Sequence, residues 1–128
     1  MPTTPTIETR RRKRIALMTC DASLAAAVEA AAPDDWEVER ASSLDAFGDW
    51  HELLLFRFLV LDLDEIEAFD PLDVINIIRR EYQINLPVLC FGGGEDLRDE
   101  MRLSRADRFF ERDQIHESLP GFFAAYDW

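Results

Sequence analysis

Residues 58–63 read Phe58-Leu59-Val60-Leu61-Asp62-Leu63, the most apolar strand-length run in the chain. A short continuous apolar run of this kind suits a strand buried on both faces of a parallel sheet. Downstream, Asp70-Pro71 is a helix start, a carboxylate cap followed by proline at the first helical position. Leu72, Ile75, Ile78, Arg79 and Tyr82 then trace a helix toward Pro87. Leu86–Phe91 reads as another buried strand. Gly92-Gly93-Gly94 leads into a helix around Glu95–Leu103, a last strand follows near Arg108–Glu111, and a short helix runs from about Leu119 to Tyr126. That helix tolerates Pro120 only if the proline lies in its first turn.

Upstream the alternation continues. Ile15–Thr19 is a short apolar strand, followed by a helical face of Leu24, Ala27, Val28 and Ala31 with Ser23 or Asp21 as cap. Trp36–Ala41 alternates apolar and polar residues, as a strand near a sheet edge does. Leu44, Phe47 and Trp50 spell a second helix capped by Ser42 or Ser43, weakened by Gly48. Five strands alternating with five helices predict a doubly wound α/β domain with a five-stranded parallel sheet, flavodoxin-like in strand order 2-1-3-4-5.

Composition narrows the function. The 128 residues carry 26 acids and 14 bases, a formal charge of −12, with 48% hydrophobic residues. That is one packed domain, too apolar for wholesale disorder. No apolar run approaches the roughly 20 residues of a bilayer span; Arg57 separates Leu53–Phe56 from Phe58–Leu61. Two cysteines, Cys20 and Cys90, are too few for a disulfide framework, so both are expected as ordinary buried thiols in a reducing cytoplasm. The acidic balance argues against nucleic acid as the main partner, because phosphates need a basic footprint. Basic charge concentrates in Arg10, Arg11, Arg12, Lys13 and Arg14, and residues 1–14 are expected as a flexible basic arm ahead of a domain over 15–128. The apolar stretch after it ends at Asp21, too short for a signal peptide.

In this architecture chemistry sits at the carboxyl ends of the strands. The residues there are Thr19-Cys20-Asp21, Asp62-Leu63-Asp64, Phe91-Gly92-Gly93 and Phe109–Asp113. With these in view, the chain resembles a response-regulator receiver domain of the CheY-like family. Arg14–Met18 followed by Asp21–Leu24 is similar to that family's start, and Leu59–Asp62 resembles its central strand with the phosphoaccepting aspartate. Phe69–Leu72, Leu86–Leu89, and Ala106-Asp107 with Phe109 resemble later segments in the same order.

The resemblance implies a Mg²⁺ pocket, and the residues depart from it. The two metal-holding acids would fall on Thr19 and Cys20, neither a hard anionic ligand, with Asp21 one place late. The phosphoryl-binding hydroxyl would fall on Gly92. The family's lysine would fall on Arg112, a planar fork rather than a compact ammonium, and the chain's single lysine is Lys13. Asp62 therefore stands in a degenerate pocket. It is either held by Arg112 or solvated, or it keeps residual phosphorylation with Asp64 or Asp21 recruited to a metal.

Other constellations read more simply. Cys20 before a helix would suit an activated thiolate, but Ala26 stands where a phosphatase loop needs arginine. Gly92–Gly94 resembles a phosphate cradle, yet Glu95 and Asp96 in the next turn repel anions, so a permissive turn is expected. His51 and His116 lack metal-ligand partners at helical spacing. Asp62, Asp64, Glu65, Glu67 and Asp70 are an acidic group without calcium-loop spacing. Phe109, Phe110, Phe122, Phe123, Tyr126 and Trp128 crowd the last strand and helix, where one of each adjacent pair would remain as an interface anchor.

The expectation is a pseudo-receiver signalling domain that works by protein–protein contact, self-association included, without cofactor, metal or catalytic activity. The alternatives are a phosphoacceptor with an altered pocket at Asp62, or a small-ligand module at the Gly92–Gly94 crevice.

Overall fold

The structure, a computed structural model, describes residues 12–127. Five parallel strands, β1 (Lys13–Met18), β2 (Trp36–Ala41), β3 (Leu59–Asp62), β4 (Val88–Phe91) and β5 (Arg108–Phe110), form one sheet in the order β2-β1-β3-β4-β5. This is the predicted doubly wound sheet.

Alternation along the strands divides the core in two. Ala16, Met18, Leu59, Leu61, Val88 and Cys90 point to one face, under a 3₁₀ turn (Leu44–Phe47) and the helices α2 (Trp50–Leu53), α3 (Pro71–Asn76) and α4 (Glu95–Leu103). Ile15, Leu17, Phe58, Val60, Leu89 and Phe91 belong to the other core, under α1 (Ala22–Ala31) and α5 (Ile115–Ala125). Phe123 anchors this second core, 4.9 Å edge-to-face from Trp36 and 5.7 Å from Phe58. Full burial of such a ring contributes on the order of 3 kcal/mol.

Local chemistry explains the helix boundaries. Asp21 accepts from the Leu24 amide at 3.1 Å and caps α1; Asp70 accepts from the Leu72 amide at 3.0 Å and caps α3, with Pro71 at its start.

Three expectations change. The helix expected over Leu44, Phe47 and Trp50 divides at Gly48, whose φ of +101° cannot continue a helix. The helix expected to run on to Tyr82 passes into a π turn over Ile77–Glu81. The last helix begins at Ile115 rather than Leu119, which places Pro120 inside it. Burial of Ile115 and Leu119 beside Phe123 outweighs the lost proline amide.

The basic run also differs from the expected arm. Lys13 and Arg14 lie in β1, because β2 beside it is lined with acids. Arg14 pairs with Glu39 at 3.2 Å, Lys13 with Asp35 at 2.8 Å and with Asp127, and Arg12 with Glu37. Arg10, Arg11 and Trp128 lie outside the described residues.

Candidate functional site

Four strand ends converge at one rim of the sheet, and their polar residues meet there. Thr19 follows β1 and is buried, and Asp62 closes β3 with 3% of its surface exposed. Arg112 reaches in from the segment after β5. Its Nη1 donates to Asp62 Oδ1 at 2.8 Å and to Asp64 Oδ2 at 3.0 Å. Its Nη2 donates to Asp62 Oδ2 at 3.2 Å and to Asp21 Oδ2 at 2.8 Å. One guanidinium thus binds three carboxylates, in the planar fork geometry that a lysine could not reproduce.

The remaining lone pairs of Asp62 are also used. The Thr19 hydroxyl donates to Oδ2 at 2.7 Å and the Asp64 amide to Oδ1 at 2.9 Å. Each Asp62 oxygen therefore accepts two hydrogen bonds from the chain itself, the usual capacity of a carboxylate oxygen. Electrostatics follow the geometry. Hydrogen bonds from Arg112, then from the Leu24 amide, hold the Asp21 carboxyl below its ordinary value. Asp62 foremost, with Asp21 and Asp64, raises Arg112 against the opposing effect of burial.

Gly92 has a specific structural reason. Its φ is +75°, and a Cβ there would lie 2.1 Å from Asp64 Oδ2. Asp64 folds over this position and accepts from the Gly93 amide at 2.9 Å. The space where the resemblance placed a phosphoryl-binding hydroxyl is filled by the Asp64 carboxylate. The Gly92 amide is likewise engaged, donating to the Phe110 carbonyl at 3.0 Å. The expected permissive turn is a clearance for Asp64.

A divalent cation implied by the fold does not fit these residues. Arg112 stands between the three aspartates that would have to hold it. Among the described residues, no group of three or more His, Cys, Asp or Glu side chains has the geometry to bind a metal ion. Of the other acids considered, Glu65 accepts from the Glu67 and Ala68 amides, both at 2.9 Å, and Asp70 caps α3.

Cys20 corrects its expectation: it is exposed, while Cys90 is buried, and both are free. The chain leaves β1 at Thr19 and turns outward before α1, so residue 20 sits on the rim. Partial desolvation and a hydrogen bond with Glu65 raise the Cys20 thiol, the opposite of an activated nucleophile. His51 stacks on Trp50 at 3.6 Å and lies beside Asp49, and His116 lines a shallow groove with Asp21, Leu24 and Arg112.

The aromatic residues serve packing before anything else. Phe123 is buried; Phe109, Phe110, Phe122 and Tyr126 are half-buried. Arg102 covers the Phe109 ring at 4.6 Å, Phe110 meets Phe122 edge-to-face at 5.6 Å, and Tyr126 lies 5.5 Å from Phe58. The large exposed apolar side chains are instead Trp50, Leu54, Ile66 and Leu103.

Sequence reasoning missed Arg98. From α4 its Nε donates to the Gly92 carbonyl at 2.8 Å and its Nη2 to the Phe110 carbonyl at 2.9 Å, tying the ends of β4 and β5 together. Its place among the charged residues of α4 carried no local sign of this inward reach.

The fold is that of response-regulator receiver domains. A receiver domain from Bermanella marisrubri is similar over 88% of this chain and 96% of its own, with TM-score 0.70 and 24% identity. The receiver domain of a putative LuxO repressor protein from Vibrio parahaemolyticus is similar over 90% and 89%, with TM-score 0.66 and 19% identity. An orphan response regulator of H. pylori is similar over 91% and 97%, with TM-score 0.65 and 14% identity. No protein-family model matches the chain, and no curated protein matches it in sequence. No helix among the described residues is long and apolar enough to cross a membrane.

Proposed function

We propose that this chain is a pseudo-receiver: a non-catalytic, cytoplasmic signalling domain that acts by protein–protein contact without Mg²⁺-dependent aspartyl phosphorylation. The observation that carries the reading is the saturation of Asp62. Both of its oxygens are occupied by Thr19, the Asp64 amide and Arg112. A phosphoacceptor must offer a free oxygen and a cation that can bridge to the incoming phosphoryl group. Here the cation is built into the chain and spends its hydrogen bonds on the aspartates.

With the trigger removed, regulation falls to a partner or to self-association, which shifts an equilibrium by differential binding alone. The three-residue edge strand β5, with Phe109, Phe110, Phe122 and Tyr126 partly exposed along its flank, supports contact there. The formal charge of −12 disfavours nucleic acid as the partner. The free exposed Cys20 suits a reducing compartment.

The test is an amide-correlation NMR titration with Mg²⁺ and then beryllofluoride, an acyl-phosphate mimic. The expected result is a folded spectrum in which Asp62, Gly92 and Arg112 do not move. Mg²⁺-dependent shifts centred on those residues would restore the phosphoacceptor reading.

A further inference from the structure

At the opposite end of the sheet from Asp62, where β4 and β5 begin, lies a second polar concavity. Arg79 from the π turn, Gln83, Ile84 and Asn85 from the segment leading to β4, and Arg105 from the turn before β5 line it. Arg79 is 94% buried by surface, since only 6% is exposed. It donates to the Arg105 carbonyl at 3.1 Å, the Ile84 carbonyl at 2.9 Å and Asp107 Oδ2 at 2.9 Å. Arg105 donates to the Arg79 carbonyl at 3.2 Å, and among the described residues no carboxylate lies within ion-pair distance of it.

Two arginines therefore line one concavity in a chain of net charge −12, and Asp107, the carboxylate that pairs with Arg79, also accepts from the Val88 amide at 2.7 Å. Burial lowers the Arg79 guanidinium; the Asp107 charge works against that and the Arg105 charge adds to it. The backbone is also unusual at this place. Gln83 has φ +56° and Arg105 has φ +72°, the two non-glycine left-handed residues among those described. Both line the concavity, beside the π turn. Left-handed non-glycine residues and π turns cost stability and concentrate where chains bind ligands.

We propose that this concavity binds a small oxyanion, a phosphate or carboxylate group, held by Arg105 with Gln83 and Asn85 over the Arg79 guanidinium. Each donor type suits an oxyanion: the guanidinium forks supply paired N–H groups and the side-chain amides supply two more each. Bound anion would join the π turn to the turn before β5 and offset the Arg79–Arg105 repulsion. The site is independent of Asp62, which lies at the other rim.

The experiment titrates the full chain with inorganic phosphate, and separately with acetate and citrate, at ionic strength held constant with sodium chloride. Saturable amide shifts at Gln83, Asn85 and Arg105, with a Tm that rises with occupancy, are expected. Phosphate against carboxylate separates the two sources. Arg105→Gly removes the guanidinium while suiting the left-handed backbone, and Arg105→Gln removes the charge while keeping a polar side chain. Both are expected to stay folded and weaken binding roughly tenfold or more. Shifts that never saturate, that chloride reproduces, or that survive unchanged in both variants would overturn the proposal.

Discussion

Arg112 grips Asp62 with both terminal nitrogens, Nη1 at 2.8 Å from Oδ1 and Nη2 at 3.2 Å from Oδ2. The aspartate is almost fully buried, whereas the arginine side chain is 34% exposed. The pair therefore joins a sequestered anion at the end of β3 to a partly solvated cation on the segment between β5 and α5.

Arg112→Ala leaves a buried carboxylate with only Thr19 and the Asp64 amide. The expected loss is about 3 kcal/mol, the low end for breaking a buried pair, because the arginine is partly solvated. Arg112→Lys should fall between, since an ammonium cannot span three carboxylates in one plane. Urea denaturation midpoints measure both.

Gly92→Ser places a side chain where Asp64 Oδ2 stands and forces a left-handed residue other than glycine. A destabilisation of roughly 1–3 kcal/mol is expected. The added hydroxyl should leave the protein unresponsive to Mg²⁺ with beryllofluoride, because Arg112 still occupies Asp62. Thermal melts and the NMR titration check the two halves.

The Asp21 carboxyl is lowered in the folded state. Its contribution to stability is thus complete above the ordinary carboxylate value, near pH 4, and is lost as pH falls through the depressed folded value. Stability measured from pH 6 to pH 2 should decline in that lower window, and Asp21→Asn should flatten part of the decline. An unchanged profile in the variant would remove Asp21 from the acid response.

Burial pushes the Cys90 thiol up to about 12, so it is neutral in the fold where the unfolded chain would ionise. Stability should therefore fall as pH rises above roughly 9. Under native conditions a thiol-reactive reagent should modify one cysteine per chain, Cys20, more slowly than a free thiol since its own value is raised. Peptide mapping after labelling identifies the residue.

Phe123→Ala tests the face under α1 and α5. Loss of its contacts with Trp36 and Phe58 should cost roughly 3–5 kcal/mol, read from the denaturation midpoint.

The sequence carried the sheet and most of the helices, because run length, alternation and caps are local signals. Asp70-Pro71 starts α3 as read, and Glu95–Leu103 is α4 as read. Local signals failed where packing overruled them. Lys13 and Arg14 joined β1 because Asp35 and Glu39 flank it, and α5 starts at Ile115 because Ile115 and Leu119 enter the core beside Phe123.

What the sequence determined alone was a five-stranded doubly wound domain in which Asp62 stands at a strand end with Thr19, Gly92 and Arg112 nearby. What the tertiary structure decided was how these residues use one another. Arg112 meets Asp21, Asp62 and Asp64 across 91, 50 and 48 residues of chain. Partners that distant leave no periodicity to read; only the crossing of strands into one rim brings them within hydrogen-bond reach. Gly92 shows the same division, since a glycine's identity is written locally but the carboxylate it makes room for comes from another strand.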